Sequence, residues 1–451
     1  MHEDKKQFVK LFVALLIALV FYGGALSMFN QQQSALVASI AFLITLWTNE
    51  ALPLGVVSLM PIILFPSFGI LTTKATTINY AHPIIYLFLG GFLLAIAVEK
   101  TKLHLYIANK ILSIFPSTAR GMIFSLTLTS ALLSSILSNT TTALLLISIA
   151  VFLTDNAKLK MRFALSIAYG ASVGGILTPI GTPPNLILLG IMQEKGMDAI
   201  PFLKWVMMVS PLVFMMLISV SFLLSLGVSN IVIQKNSERN TLSSNQKKVL
   251  FLLAALVSVL FVNAPIKPYW GGLGLSESGI LLGFGLILFL PLFNILDWKE
   301  DTHKIPYAIM FLFGAGFSIA KAFSQTGLAD LLASYLLDLT TLTPILLLLS
   351  IAILITFTTE VTSNTALISI MLPVIYSVSE QSGIDKTLFM MVATVCASYA
   401  FMLPIATPPN AIAMSSGVVH VKDMVRYGII LNLLGIVFIV LTANYFWKNI
   451  I

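Results

Sequence analysis

Runs of apolar residues, each near the length that crosses a membrane as a helix, recur along almost the whole chain. Crossing the hydrocarbon core takes about 20 residues of helix. The pattern predicts eleven crossings, at 8–28, 34–49, 53–70, 83–98, 160–192, 204–228, 248–264, 275–295, 305–321, 387–417 and 425–447. Two further stretches, 121–154 and 342–378, are too long for one simple crossing and have polar centres. We predict that they are re-entrant hairpins, because non-helical backbone is tolerated at membrane depth only inside protein or beside a cavity.

Both hairpins carry the same triplet at their centres. The stretches "SSILSNTTTALLL" and "TEVTSNTALISI" contain Ser138-Asn139-Thr140 and Ser363-Asn364-Thr365, which lie 225 residues apart. The segments "GTPPN" from Gly181 and "ATPPN" from Ala406 share this offset, as do Gly91-Phe92 and Gly316-Phe317. The chain therefore contains two copies of one unit.

The repeat predicts the domain organisation. We divide the chain into N-terminal helices at 1–52, a first repeat at 53–229, a linker with one extra crossing at 230–274 and a second repeat at 275–447. Five predicted crossings separate the two hairpins, so the second copy is inverted relative to the first. The Pro-Pro pairs fall in mid-span, where missing amide donors break a helix. The predicted fold is an all-α polytopic membrane protein with eleven transmembrane helices, two re-entrant hairpins, an inverted-topology repeat and two broken helices.

Composition and charge agree with a membrane location. Of the 451 residues, 58% are hydrophobic and 10% are charged, and the mean hydropathy is +0.98. With the N-terminus in the cytoplasm, 18 of the 25 Lys and Arg fall on the cytoplasmic side, as the positive-inside rule requires. We therefore expect a multi-pass protein of the inner (plasma) membrane whose C-terminus lies outside. Trp47, Trp205 and Trp270 lie near span ends and are predicted to be interfacial anchors.

The candidate chemistry is that of a carrier. The single cysteine, Cys396, excludes an internal disulfide, and the sequence has neither HExxH nor a glycine-rich phosphate loop. A membrane enzyme would need a cluster of titratable groups, whereas Glu360 is the one acid placed well inside the membrane. That carboxylate either tunes cation or proton coupling or is satisfied by nearby helix ends. Inverted repeats with interrupted helices are typical of secondary transporters, which bind their cargo where the copies meet.

The triplets supply groups suited to a small anion flanked by hard cations. Each lies where a hairpin turns, so helix ends there present free amides, which attract anions, and free carbonyls, which attract cations. Asn offers a donor and an acceptor, and Thr a hydroxyl. The alternative is that these side chains only join helices to one another.

The paired triplets, the paired TPPN segments and "GGFLLAIAVEKTKLH" resemble the divalent anion:sodium symporter (DASS) family, which carries di- and tricarboxylates and, in some members, sulfate. The resemblance extends from about Ala51 over almost the whole chain. It implies a homodimer in which each subunit has a scaffold and a transport domain, and the transport domain moves as an elevator. It also implies two sodium ions as the coupling cofactors.

The resemblance assigns the site residues. The first sodium site would use Ser134, Ser138, Asn139 and Gly181, and the second Thr359, Thr362, Asn364 and Ala406. The substrate would contact Asn139, Thr140, Thr182, Pro183, Asn364, Thr365, Thr407 and Pro408. Leu137 matches Thr362, a difference of little consequence if that ligand is a backbone carbonyl.

The favoured function is sodium-coupled symport of C4-dicarboxylates such as succinate, malate and fumarate, or of related di- and tricarboxylates. Two alternatives stay open. One is a sodium-independent dicarboxylate exchanger of the same architecture. The other is a carrier of sulfate or other oxyanions, or of Na⁺ and H⁺ on a related inverted-repeat fold.

Overall fold

The chain is helical almost throughout the described residues. The computed structural model describes residues 2–228, 241–265, 270–336 and 343–450. The helices are α1 His2–Ala25, α2 Gln31–Asn49, α3 Leu54–Leu59, α4 Pro61–Ser67, α5 Thr73–Thr77, α6 Pro83–Lys100, α7 Leu103–Ile114, α8 Ala119–Ser134, α9 Asn139–Ala150, α10 Ala157–Gly175, α11 Pro183–Glu194, α12 Phe202–Ser225, α13 Ser244–Asn263, α14 Glu277–Ile287, α15 Trp298–Asp301, α16 Tyr307–Gln325, α17 Leu328–Leu336, α18 Pro344–Thr359, α19 Asn364–Ser382, α20 Lys386–Ala397, α21 Pro408–Ser415 and α22 Val421–Tyr445. The all-α prediction is confirmed. The first part of the predicted polar linker, 229–240, lies outside the described residues.

The lengths and composition of the helices suit a membrane protein. Among the described residues, six helical segments are long and apolar enough to cross, at Lys5–Ala25, Thr73–Lys100, Phe202–Ser225, Ser244–Asn263, Tyr307–Gln325 and Val421–Asn449. Shorter apolar helices cover other predicted crossings, and two of those crossings consist of helix pairs, α10 with α11 and α20 with α21. The exact number of eleven stays a prediction.

The interruptions fall where the sequence predicts them. In the hairpins, α8 and α18 end just before the triplets, while α9 and α19 begin at Asn139 and Asn364. In the broken helices, α11 and α21 begin at Pro183 and Pro408. Proline is favoured at the first helical position, because an amide there has no intrahelical partner to lose. All four of these helices therefore begin at local signals that repeat after 225 residues.

The two copies exchange partners in matching pairs. Helix α9 of the first hairpin contacts α21 of the second broken helix, and α19 of the second hairpin contacts α11 of the first. The long helices that follow the broken ones, α12 and α22, also contact each other. Consequently each triplet lies on a helix that packs against the other copy's TPPN helix.

Small residues bring the first broken helix close to the first hairpin. A Cβ atom on Gly170 would clash with the backbone oxygen of Thr127, and one on Gly174 with the backbone of Ala131. Close backbone approach of this kind provides the packing between helices in a membrane, where the hydrophobic effect does not drive their association. This contact holds α10 against α8 beside the first triplet.

Helix α1 has the surface of a helix in contact with lipid. Its side chains Phe8, Phe12 and Leu19 are 71%, 65% and 61% exposed. A mostly apolar cavity of about 900 Å³ lies between α1, α2 and α4, and its lining includes none of the predicted site residues. With its long apolar helices, the chain is a multi-pass membrane protein.

Candidate functional site

The tip of the first hairpin is held by the first residue of its triplet. The Ser138 hydroxyl accepts a hydrogen bond from the backbone N–H of Thr141 at 3.1 Å and donates to Thr141 Oγ1 at 2.9 Å. A serine in this place caps the amides at the start of a helix. Ser138 therefore fixes where α9 begins, and this leaves the next residue, Asn139, at the helix N-terminus.

Asn139 lies at the centre of a cluster of oxygen atoms. The side-chain amide can be turned either way, with Oδ1 or Nδ2 toward these oxygens. Whichever atom takes that position lies 2.5 Å from Ser134 Oγ and 3.3 Å from the carbonyl oxygens of Ala171 and Gly181. The side chain has room because Gly175 lacks a Cβ atom, which would come within 2.6 Å of Asn139 Oδ1. Three of the four residues predicted for the first sodium site, Ser134, Asn139 and Gly181, are thus brought together, while the Ser138 hydroxyl is used in the helix cap.

The orientation of the Asn139 amide decides what this cluster can hold. With the amide nitrogen toward the three oxygens, it donates hydrogen bonds to them. With Oδ1 toward them, it accepts from the Ser134 hydroxyl but faces the carbonyl oxygens of Ala171 and Gly181 without a proton between them, an arrangement that a cation would stabilise. Neutral carbonyl, amide and hydroxyl oxygens suit a hard cation. The residues present therefore fit a sodium ion, and their role as ligands stays a prediction.

The second hairpin repeats the sequence motif of the first, but its side chains make different hydrogen bonds. Thr359, which matches Ser134, is fully buried and donates to the Ala397 carbonyl at 2.9 Å. Thr362 donates to the Thr358 carbonyl at 2.8 Å, and Asn364 begins α19 in a partly exposed position. At the place of Gly175 this copy has Ala400, so the missing Cβ atom that makes room for the Asn139 amide is not repeated. The two predicted sodium sites are therefore related in sequence but differ in side-chain packing.

The asparagines of the TPPN segments hold both broken helices in shape. Asn185 Nδ2 donates to the carbonyls of Gly175 and Thr178 at 3.4 and 2.9 Å. Asn410 Nδ2 donates to the matching carbonyls of Ala400 and Leu403, both at 3.0 Å. Each side chain satisfies carbonyls that the break frees, as buried backbone groups require. Our interpretation of the sequence favoured a structural, helix-joining role for Asn185, but it identified neither these carbonyls nor the matching role of Asn410.

The predicted substrate residues lie at the starts of the four helices. Asn139 and Thr140 are partly exposed on the first turn of α9, and Thr365 is buried on the first turn of α19. Thr182 and Thr407 are buried and directly precede the prolines, of which Pro183 is partly exposed and Pro408 exposed. Helix N-termini carry partial positive charge, so each of these positions suits an anionic group.

Glu360 is buried and fully engaged by hydrogen-bond donors. Its carboxylate accepts from the backbone N–H groups of Phe401, Met402 and Leu403 at 2.8 to 3.1 Å. It also accepts from Asn432 Nδ2 at 2.6 Å. Of the two roles that the sequence allowed, the structure supports a carboxylate satisfied by the unwound end of a helix.

The tryptophan predictions are only partly right. Trp205, predicted to be an interfacial anchor, is fully buried, and its indole N–H donates to the Ile176 carbonyl at 3.0 Å. Trp47 is also largely buried, whereas Trp270 is exposed. A buried indole needs an acceptor for its N–H, and the broken helix offers Trp205 a free carbonyl. Proximity to a span end in sequence did not reveal this contact.

Comparisons with known proteins agree with a transporter. The citrate transporter (CitMHS) family matches residues 40–394. The chain is 32% identical over 435 residues to the sodium-dependent dicarboxylate transporter SdcS of Staphylococcus saprophyticus, covering 89% of this chain and 83% of that protein. The protein of the same name from Staphylococcus aureus strain USA300 is also 32% identical, over 436 residues, with the same coverage of both chains.

A solved structure supports the fold. The crystal structure of the Alcanivorax borkumensis YdaH transporter matches with a TM-score of 0.58 and 14% identity, covering 82% of this chain and 87% of that one. At this identity the likeness concerns the fold alone. The family match spans most of the chain, and the resemblance to the DASS family inferred from the triplets is confirmed. The chain therefore belongs to the citrate transporter family and is a membrane transporter rather than an enzyme.

Proposed function

We propose that this protein is a sodium-coupled symporter of C4-dicarboxylates such as succinate, malate and fumarate, or of related di- and tricarboxylates. The observation that carries the proposal is the cluster of neutral oxygens around Asn139, at the start of a helix whose triplet recurs in the other copy. The similarity to proteins named sodium-dependent dicarboxylate transporters supports it.

Charge compensation explains the coupling. The hairpin tips and the TPPN segments contain no Lys or Arg, so a dianion bound there lacks a covalently attached cation. A desolvated and uncompensated charge is costly. Two sodium ions, one in each hairpin, together with the N-termini of α9, α11, α19 and α21, provide the missing positive charge. Sodium and substrate therefore each strengthen the binding of the other.

We further propose that the protein works as a homodimer in the plasma membrane, with the hairpins and broken helices moving as an elevator against the scaffold. The exchanged contacts of α9 with α21 and of α19 with α11 support a single moving unit built from both copies.

Uptake into proteoliposomes tests the function. An inward sodium gradient is expected to accumulate radiolabelled succinate, since a tenfold gradient contributes about 1.4 kcal/mol for each sodium ion carried. Uptake should stop when a sodium ionophore collapses the gradient. Equal uptake with and without sodium, stimulated by internal succinate, would identify an exchanger instead. Sulfate uptake in place of succinate uptake would identify an oxyanion carrier.

The inverted repeat predicts opposite sidedness for the hairpins. Lys158 and Gln381 are exposed, and each lies beside one hairpin. In a chain in which alanine replaces the buried Cys396, a single cysteine at 158 should react only with reagents in the cytoplasm. One at 381 should react only with reagents outside. Labelling of both from the same side would disprove the inversion.

A further inference from the structure

The two copies hold their hairpins to their broken helices by different chemistry. In the first copy, Thr178 Oγ1 donates to the Ser135 carbonyl at 2.5 Å, which joins the broken helix to the hairpin tip. Trp205 of α12 joins the same segment through the Ile176 carbonyl. These two contacts connect three elements: the hairpin, the unwound segment and the long helix that follows it.

The second copy connects the same three elements through one carboxylate. Glu360 takes the place of Ser135, and its partners Phe401, Met402 and Leu403 take the places of Ile176, Leu177 and Thr178. Asn432 supplies the contact from α22, as Trp205 does from α12. A negative charge in the second copy thus replaces a neutral threonine and tryptophan in the first.

We infer that Glu360 is a positioning residue that fixes the second hairpin, the unwound segment 398–407 and α22 to one another. This inference rests on the proposed function. Glu360 is the residue directly after Thr359, which belongs to the predicted second sodium site. The Glu360 carboxylate binds the segment that leads to Ala406 of the same site. Both predicted ligands are therefore held in place by one side chain, which is 3% exposed.

The arrangement also restricts which groups the substrate can use. The N–H groups of residues 401–403 already donate to the carboxylate, so they are not free to bind an anion. A second anion at the same amides would be repelled by the buried charge. These three amides are therefore excluded from binding the substrate, whose predicted contacts in this copy lie at the starts of α19 and α21.

Hydrogen–deuterium exchange tests the positioning role without relying on transport. In Glu360→Gln the side chain loses its charge and presents an amide N–H₂ toward backbone donors. We expect peptides covering 399–405 to exchange about tenfold faster, because exchange reports local opening. The matching peptides at 174–180 should be unaffected. Glu380→Gln is the matched control, because it removes an exposed carboxylate from α19 that pairs with Lys386, and it should leave 399–405 unchanged.

Transport by the same variants distinguishes positioning from a general effect on folding. Turnover per folded molecule of Glu360→Gln should fall about tenfold, with a raised KM for succinate, because loss of a buried charge-assisted network displaces the site. Glu360→Asp keeps the charge on a shorter side chain. This variant should recover part of the turnover and part of the apparent affinity for succinate. Loss of protein yield alone, with normal turnover and KM, would overturn the inference.

A second variant keeps the test valid if Glu360→Gln does not fold. Asn432→Ala removes one of the donors to Glu360 and leaves the backbone donors in place. It should raise exchange at 399–405 by about threefold, since the carboxylate is then less firmly held. Unchanged exchange in this variant would refute the positioning role. If wild-type protein does not carry succinate, the proposed function fails, while the exchange result still decides the role of Glu360.

Discussion

Replacing Asn139 or Asn364 by alanine is expected to lower sodium-driven succinate transport by about 100-fold or more while leaving a folded protein. Hydrogen bonds to charged groups are worth about 1.5–3 kcal/mol each, and each asparagine is predicted to contact both sodium and substrate. Asn139→Ala also leaves the Ser134 hydroxyl and the carbonyls of Ala171 and Gly181 without the amide that now faces them. Initial rates of uptake into proteoliposomes measure the effect.

The two losses of transport should be similar, although the side-chain packing differs, because each asparagine is predicted to contact both sodium and substrate. Asn449→Ala is a suitable control, since this asparagine is exposed and its side chain donates to the Tyr445 carbonyl on the same helical end, away from the predicted site. Its transport should be normal. Thermal melting and gel filtration establish that each variant is folded. Normal transport by either triplet variant would show that the site does not draw on both copies.

Removing sodium is expected to weaken succinate binding by about 100-fold or more, which corresponds to about 2.7 kcal/mol. The reason is that the hairpin tips and the TPPN segments provide only neutral groups and the partial positive charge of helix N-termini. Without sodium, the second charge of the dianion has no positively charged partner. Isothermal titration of purified protein in detergent, in sodium chloride and in choline chloride at equal ionic strength, measures the difference. The thermal stabilisation by succinate should likewise appear only with sodium, since a ligand stabilises the state that it binds.

Tight binding of succinate in choline chloride would contradict this prediction and favour the exchanger. A further comparison uses lithium and potassium. A site of neutral hydroxyl and carbonyl oxygens such as that around Asn139, closed by Oδ1 when the amide turns toward them, is expected to prefer a small hard cation, so potassium should not replace sodium. If potassium supports binding equally, the ion at this cluster is not selected by its ligands.

Much of the fold was predictable because its signals are local. Long apolar runs must be helical in a membrane, where every backbone polar group needs an internal partner. The hairpin turns and breaks follow from Ser-Asn-Thr and Pro-Pro, which set where a helix begins through capping and the missing proline amide. Their common offset of 225 residues indicates the repeat without any knowledge of tertiary contacts.

The candidate site was predictable only where the repeat itself pointed to it. The sequence drew attention to Asn139 and Asn364, but it did not show that the Asn139 amide lies where a Cβ atom on residue 175 would be. Nor did it reveal that Asn185 and Asn410 satisfy the carbonyls of the breaks, or that Trp205 is buried. These contacts join residues that are distant along the chain or lie on opposite sides of an unwound segment.

The sequence by itself determined that this chain is a helical membrane protein with a repeated, helix-breaking motif, because hydrophobic length, capping and proline act within a few residues, and that motif carries the resemblance to a transporter family. Only the tertiary structure decided which groups meet around those breaks. The clearest case is Glu360, an acid that the sequence left between two roles. The role of the Glu360 carboxylate depends on the amides of 401–403 and on Asn432, which is 72 residues away. A buried charge is stabilised only by donors that the folded chain brings to it.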